Sequence, residues 1–192
     1  MRRPLAALAL ALAASAPAPA QDFAAEARAE VAALVDEMHG ALTDPALSDA
    51  ARDAAIREAA ADAFALDLWG RAVLGDRAER FSPEQRAAFD ALLPGYLGGL
   101  YVENFAGAGR KPEVGGARMA RRDALVAVTM FRARGEPLPL DYRVRDRAGG
   151  PAVLDVIIGG VSFAILRREE FGALIDREGP DALIAFMRDK AI

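Results

Sequence analysis

Residues 153–171, VLDVIIGGVSFAILRREEF, decide the fold expected for this chain of 192 amino acids. The stretch opens as an apolar strand, residues 153–158, that contains one acid, Asp155. It breaks at Gly159-Gly160, where paired glycines permit a bulge or a sharp bend. Residues 161–166 are expected to continue the strand or to pair beside it. Because both faces of the first segment are apolar, we expect a central strand, and the pattern leaves open which face points inward.

Two further strands precede this stretch, because the sequence changes from a helical to an alternating period after a Gly-rich loop at 107–116. The strand expected at 125–132 has three apolar residues on one face, namely Val126, Val128 and Met130. Residues 138–145 alternate between apolar and mostly charged side chains, as an antiparallel strand with one solvated face does. Its inward-facing residues are expected to be Leu138, Leu140, Tyr142 and Val144.

Most of the remaining chain is expected to be helical. The spacing of apolar residues predicts helices at 22–39, 49–64, 66–74, 82–105, 168–176 and 181–190. Asp22 is expected to cap the first helix and Gly40 to end it. Glu169 and Glu170 are expected in the first turn of the fifth helix, where acids suit the helix dipole. Helices followed by meandering strands indicate an α+β domain, with N-terminal helices packed on a twisted, mainly antiparallel sheet.

The helix expected at 82–105 carries the widest apolar stripe of the chain. Ser82 and Gln85 form a capping box with Pro83 at the first helical position, and Pro94 is expected to kink the helix. The stripe could cover the sheet or wall a cavity, and the single tryptophan, Trp69, could do either as well. The stripe consists of Phe89, Leu92, Leu93, Tyr96, Leu97, Leu100, Tyr101 and Phe105.

The N-terminus has the three parts of a secretory signal peptide. Two arginines precede an apolar run at 5–14, which is too short to span a bilayer, and Ala18-Pro19-Ala20 is a typical cleavage site. We therefore expect residues 1–20 to be removed after Ala20. Residues 21–192 are then expected to form a single domain in the periplasm.

The composition excludes several classes of function. Without cysteine, the chain forms no disulfide and has no thiolate nucleophile, and a net charge of −4 gives no basic surface for nucleic acid. The single histidine, His39, is expected at the surface near the end of the first helix. Ser162 lacks the second glycine of a nucleophile elbow, and no ligand cluster suits zinc or calcium. What remains is an apolar interior that could bind an apolar ligand between helix and sheet.

Three blocks of residues resemble one known family. The helical block contains Leu74-Gly75, Ser82-Pro83-Glu84-Gln85-Arg86, Phe89 and Tyr96. The strand block contains Asp141-Tyr142-Arg143-Val144, Asp155-Val156, Gly160-Val161-Ser162, Arg168 and Phe171, and the tail contains Gly179, Asp181, Leu183 and Ile184. From about Asp62 to its C-terminus, the chain thereby resembles the MlaC family. This is the periplasmic phospholipid-binding component of the Mla lipid-asymmetry system, also called the toluene-tolerance or Ttg2 auxiliary family.

The resemblance implies an NTF2-like layout with a lipid cavity between the helices and the sheet. It implies a non-catalytic carrier with no metal and no cofactor, in which phospholipid is the cargo. The implied partners are an outer-membrane MlaA-like lipoprotein–porin complex and an inner-membrane ABC transporter complex with its MlaD-like component.

The resemblance also implies roles for individual residues. Asp155 and Arg168 are expected to be structural, and aspartate at Val128 or Val156 is expected to abolish lipid retention. The residues expected to line the lipid pocket are Trp69, Leu74, Phe89, Leu93, Tyr96, Leu97, Leu100, Tyr101, Val126, Val128, Met130, Tyr142, Val144, Val156, Ile158, Val161, Phe163 and Phe171.

Two other functions stay open from the sequence. An NTF2-like enzyme or small-ligand binder could use Asp155, Tyr142 and Arg168 in a cone-shaped cavity. Such an enzyme requires a carboxylate inside the cavity with a raised pKa, so pairing of Asp155 with an arginine argues against it. A lipid-free adaptor that only bridges membrane complexes would have a packed interior without a cavity.

Overall fold

The computed structural model describes residues 18–192, with side chains from Gln21 onward. Within this range the chain forms six α-helices, a 3₁₀ helix at Gly75–Arg80 and one five-stranded antiparallel sheet, which confirms the α+β class. The expected leader covers residues 1–20, of which only the backbone of 18–20 is described, so its cleavage stays a prediction. None of the helices in the described range has the length and apolar character needed to cross a bilayer.

The elements follow one another with short connections. The helices are α1 (Ala18–Thr43), α2 (Asp49–Ala63), α3 (Leu66–Leu74), α4 (Pro83–Phe105), α5 (Phe163–Glu178) and α6 (Pro180–Lys190). The strands are β1 (Glu113–Ala120), β2 (Asp123–Met130), β3 (Leu138–Arg147), β4 (Gly150–Ile158) and β5 (Val161–Ser162). Each strand pairs with its neighbours along the chain, in the order β1-β2-β3-β4-β5.

The first strand was not expected. Residues 107–116 were predicted to be loop, but β1 begins at Glu113 and pairs with β2. Its sequence, EVGGARMA, does not alternate, because the strand lies at the sheet edge and its register shifts between Val114 and Ala117, around two glycines. The alternation that identified the inner strands is therefore missing here.

Helix α1, and not α4, makes the main contact with the sheet. It packs along β1, β2, β3 and β4, whereas α4 packs on α2, α3 and α6. Of the two roles left open for the apolar stripe of α4, covering the sheet therefore belongs mainly to α1. The expected ends of α1 are also wrong. The helix is already formed before Asp22 and runs through Gly40 to Thr43, because the buried residues Met38 and Ala41 hold the last turns in place.

A bulge in β4 decides which of its side chains face inward. Arg143 pairs with Asp155 but Val144 pairs with Val153, so Leu154 is the extra residue on β4. One extra residue reverses the alternation of side chains along a strand. Val153 before the bulge and Val156 after it therefore both face the core. The bulge thus settles the orientation that the apolar pattern left open.

Strand β4 was expected to be central, and it lies inside the sheet between β3 and β5. It pairs along its length with β3, but its other edge pairs only with the two-residue β5 and, through Val153, with Phe64. Its outer face is apolar at Leu154 because α3 and the start of α5 cover that part of the strand.

The bend at Gly159-Gly160 is confirmed, and it ends the strand sooner than expected. Both glycines have positive φ, 58° and 82°, and turn the chain from β4 into β5. Residues 161–166 were expected to stay extended. Instead Ser162 caps α5 by accepting a hydrogen bond from the amide of Ile165 at 3.2 Å. Because α5 begins at Phe163, Glu169 and Glu170 lie in its second turn and not in its first.

The carboxylate of Asp155 holds the start of α5 in place. Asp155 is only 3% exposed. It accepts hydrogen bonds from the Ser162 hydroxyl at 2.5 Å and from the amide of Ala164 at 3.0 Å. Arg143, its neighbour on β3, donates to it at 3.3 Å. Arg168 or backbone was expected to hold Asp155; the backbone amide of Ala164 does so, whereas Arg168 packs against Gly75.

Three glycines of α4, Gly95, Gly98 and Gly99, let the C-terminal residues 190–192 pack closely against this helix. The capping box at Ser82 is present as predicted, and the helix continues through Pro94. A Cβ atom on Gly99 would lie 1.9 Å from the carbonyl oxygen of Lys190, and one on Gly95 would lie 2.8 Å from the carbonyl oxygen of Ile192. The amide of Ile192 donates to the carbonyl of Gly95 at 3.2 Å. The glycines therefore allow backbone to pack directly on backbone.

The close contact between Gly99 and Lys190 predicts that Gly99→Ala lowers the free energy of unfolding by about 1–3 kcal/mol, because the added methyl group overpacks this contact. Gly40→Ala is the matched control. It also lies within a helix, but its Cβ would have no atom within 4 Å. We expect that variant to be stabilised by about 0.5–1 kcal/mol, the difference in helix propensity. Urea unfolding measures the free energy of unfolding of both variants. Equal effects of the two substitutions would disprove the close contact at Gly99.

The role of Asp155 predicts that Asp155→Ala costs about 3 kcal/mol, because it leaves the buried amide of Ala164 and the Ser162 hydroxyl without their acceptor. Hydrogen exchange should show the loss of protection first at Ala164 and Ile165. Asp146→Ala on the exposed end of β3 should change stability by less than about 0.5 kcal/mol. Unaltered exchange at the start of α5 in the Asp155 variant would contradict the assigned role.

Candidate functional site

An apolar cavity of about 380 Å³ opens between the second half of α4 and the inner face of β2, β3 and β4. Its size lies within the range of small-ligand pockets. Because α4 packs on other helices and not on the strands, space remains between its C-terminal turns and the sheet. The first turns of α5 and the strand β5 close one side of this space.

The structure divides the predicted pocket residues into two groups. Those that line the cavity are Leu97, Leu100, Tyr101, Met130, Tyr142, Val156, Ile158, Val161 and Phe163. The others lie in the closed core and do not line this cavity, namely Trp69, Leu74, Phe89, Leu93, Tyr96, Val126, Val128, Val144 and Phe171. Sequence periodicity identifies the inward face of an element, but it does not tell where along that face the packing opens.

Trp69 shows how close the two groups lie. Its side chain is 1% exposed and stacks on Phe163, with ring centroids 6.1 Å apart. Phe163 in turn lines the cavity. Trp69 therefore supports the cavity wall from behind, which is the core role left open by the sequence.

Several lining residues escaped the prediction. Leu138 and Leu140 were expected to face inward with Tyr142, so the alternation of β3 contained the signal for them. Leu166 and Arg167 reach the cavity only because α5 begins at Phe163, and no pattern in the sequence indicated that start. The remaining lining residues that were missed are Met38, Phe64, Asn104, Phe105 and Arg132.

The mouth of the cavity combines exposed aliphatic side chains with positive charge. Val161 is 45% exposed and Leu166 is 47% exposed. Large apolar side chains exposed next to one another mark surfaces that meet an apolar partner. Two arginines, Arg132 and Arg167, line the same cavity, and among residues 21–192 its lining contains no acid.

The interior of the cavity is uncharged at neutral pH. Burial raises the pKa of Tyr142 to about 12. Burial also raises the pKa of Tyr101, and the neighbouring Tyr142 adds to that rise. Behind the wall, burial raises the pKa of Tyr96 to about 12, although the nearby guanidinium of Arg167 opposes part of the rise. The phenols near the cavity therefore stay protonated and do not act as acids or bases near neutral pH.

The arrangement needed for the alternative enzyme is not present. Tyr142 lines the cavity, whereas Asp155 and Arg168 line a separate groove on the outer face of the sheet, together with Arg143 and Arg145. Asp155 is already bound by Ser162, Ala164 and Arg143. No group of His, Cys, Asp or Glu suited to a metal ion is found in the part of the chain that the structure describes.

The buried phenols predict a loss of stability at high pH. An unfolded tyrosine has a pKa of about 10, whereas Tyr142 in the folded state has one of about 12. Its contribution is therefore full below pH 10 and is lost as the pH rises to 12, by about 2–3 kcal/mol. Tyr142→Phe should lose less stability over that range. Urea unfolding between pH 8 and pH 12 measures this, and identical pH dependence in both proteins would disprove the assignment.

Comparison with known proteins gives a family and a fold. The family model described as MlaC protein matches residues 32–189, beginning within α1 and thus before the resemblance expected from Asp62. No curated protein matches the chain. One solved structure that is similar is a phospholipid-binding protein from Ralstonia solanacearum, determined in complex with a phospholipid.

The likeness to the Ralstonia protein covers 86% of this chain and 96% of that chain, with a TM-score of 0.67. At 24% sequence identity, it shows that the two proteins share a fold. The family match rests on the sequence itself and extends over most of the chain. The chain therefore belongs to the MlaC protein family.

Proposed function

We propose that this protein is a non-catalytic phospholipid carrier that holds acyl chains in the cavity between α4 and the sheet. The observation that carries the proposal is the apolar cavity itself, with Val161 and Leu166 exposed at its mouth. The phospholipid complex of the Ralstonia protein, which has the same fold, supports this choice of ligand. Phospholipid is then cargo and not a cofactor.

The energetics of such a carrier require a cavity about as apolar as a membrane. Burying a methylene group from water gains about 0.8 kcal/mol, so two acyl chains with roughly 30 methylenes would gain on the order of 24 kcal/mol. That figure exceeds the practical ceiling for non-covalent affinity. The relevant reference state is therefore the bilayer, from which transfer into an apolar cavity is nearly neutral. Contacts with the membrane complexes then decide when lipid is loaded and released.

The site of action that we propose is the periplasm. The leader expected at residues 1–20 would direct export and leave residues 21–192 as the single lipid-binding domain. The carrier would move phospholipid between an outer-membrane MlaA-like lipoprotein–porin complex and an inner-membrane ABC transporter complex with its MlaD-like component. This activity would serve the lipid asymmetry of the outer membrane.

Neither alternative function has a comparable observation in its favour. The enzyme needed Asp155 and Tyr142 in one cavity, and they lie on opposite faces of the sheet. The lipid-free adaptor needed a packed interior, whereas a cavity of about 380 Å³ opens beside α4. Lipid binding is the function that makes use of this space.

Two adjacent residues of β4 provide the test of the carrier. Val156 lines the cavity, whereas Ile157 lies on the opposite face of the same strand, and both are half-buried. Val156→Asp should abolish the phospholipid that copurifies with the protein, because it places a charge in the apolar wall. Ile157→Asp should retain that lipid. Native mass spectrometry counts the bound lipid, and transfer of labelled phospholipid between vesicles measures carriage.

The pair also separates loss of lipid from loss of fold. Retention of lipid by both folded variants would show that the cavity is not the lipid site, and wild-type protein without any lipid would count against the carrier. Val128, which was expected to serve the same test, is unsuitable. It is 2% exposed in the closed core, so aspartate there would unfold the protein whatever the ligand.

A further inference from the structure

We infer that Arg167 and Arg132 form an anion site at the mouth of the cavity and that this site binds the phosphate of the lipid head group. The inference rests on the proposed function, since it assigns one part of the lipid to one part of the same site. It names the residues that distinguish a phospholipid from an uncharged lipid with the same acyl chains.

The charge of the lining is the first argument. The chain as a whole carries more acids than bases, with a net charge of −4. Nevertheless, the charged side chains that line the cavity within the described range are both arginines. The exposed amide of Asn104 lies in the same lining. The local field at the cavity therefore attracts an anion, against the charge of the protein as a whole.

The environment of Arg167 is the second argument. Its side chain is only 23% exposed, and its guanidinium lies over the ring of Phe163, 4.8 Å from the centroid. It pairs with Glu170, which is 48% exposed on the solvent side. Its Nε is buried, and its guanidinium lies near the phenol of Tyr96 behind the cavity wall. A guanidinium has five N–H donors, and those that neither Glu170 nor Tyr96 engages can bind an anionic oxygen at the mouth.

Arg132 is the second arginine of the same lining. It lies two residues after the end of β2 and is exposed, whereas Arg167 belongs to α5. It has no ion-pair or hydrogen-bond partner among residues 21–192. Guanidinium groups bind phosphate oxygens through paired N–H donors. The carboxylate of Glu170 occupies only some of the N–H donors of Arg167. Two arginines on different elements can thus hold one phosphate from two sides.

The position of the two arginines matches the geometry of a lipid. Acyl chains held against Tyr142, Val156 and Leu100 would leave the glycerol and phosphate at the mouth. The partly buried guanidinium of Arg167 is less screened there than a surface charge would be, so its attraction for the phosphate is stronger. The phosphate would then fix the direction in which the lipid lies.

The experiment compares two lipids that share their acyl chains and differ in the phosphate. Delipidated protein is incubated with vesicles that contain equal amounts of dipalmitoylphosphatidylglycerol and dipalmitoylglycerol, and native mass spectrometry counts each bound lipid. Wild type should prefer the phospholipid. Arg167→Gln and Arg132→Gln should each reduce that preference about tenfold, the effect of losing a charge-assisted hydrogen bond. Arg167→Lys should retain part of it.

Arg177→Gln is the matched control, because Arg177 is exposed at the far end of α5 and, among the side chains that the structure describes, pairs only with Glu178. Its preference should equal that of wild type. An unchanged preference in both folded variants, Arg167→Gln and Arg132→Gln, would overturn the phosphate site while leaving the carrier intact. Equal loss of both lipids in Arg167→Gln would also overturn it, because it would mean that the arginine supports the cavity. Failure of wild type to bind either lipid would instead refute the carrier.

A second arm separates the head group from a free anion. Millimolar inorganic phosphate should lower the loading of phosphatidylglycerol into wild type and leave its loading into Arg167→Gln unchanged. Phosphate that binds to wild type without affecting lipid loading would assign the site to a soluble anion and overturn the assignment to the lipid.

Discussion

The hydrogen bonds of the buried Asp155 carboxylate are the interaction on which the cavity depends. The carboxylate joins the middle of β4 to the start of α5, because it accepts hydrogen bonds from the amide of Ala164 and the hydroxyl of Ser162. These bonds end the extended segment at Ser162 and begin the helix at Phe163. The first turns of α5 are thereby brought over the sheet, where Phe163, Leu166 and Arg167 form one side of the cavity. Asp155, which the sequence left open as a catalytic acid, thus has a structural role.

Helix α4 forms the other wall of the cavity, and its position depends on its contacts with other helices. Glycines on α4 let the backbone of Lys190 and Ile192 pack directly against it, on the side where α2 and α6 also contact it. The helix is therefore held by other helices, while α1 occupies the face of the sheet. Space remains beneath Leu97, Leu100 and Tyr101, and the apolar stripe of α4 serves the core in its first half and the cavity in its second.

The sequence predicted the α+β class, the capping box at Ser82, the inner strands and the bend at Gly159-Gly160. It failed at β1, because an edge strand with two glycines has no alternating pattern. The prediction failed at residues 163–166, because the hydrogen bond that the amide of Ala164 donates to Asp155 overrides the local preference for an extended chain.

The same limits apply to the candidate site. Tyr96 and Tyr101 belong to one helical stripe, yet only Tyr101 reaches the cavity. Which turn of a helix faces a void depends on where the neighbouring helices pack, and spacing along the chain does not contain that information. The arginines at the mouth were missed because single charged residues between elements are normally attributed to the solvent-exposed surface.

The bulge at Leu154 has a consequence for how this protein tolerates change in its length. After the bulge, the side chains of β4 alternate between the apolar cavity and the outer groove with its arginines. Loss of Leu154 alone would remove the bulge and keep both faces, whereas an insertion or deletion of one residue at 156–158 would exchange the faces beyond that point. Such a change would replace part of the apolar cavity wall with side chains from the outer face. After the bulge, β4 should therefore tolerate substitutions more readily than changes in its residue count.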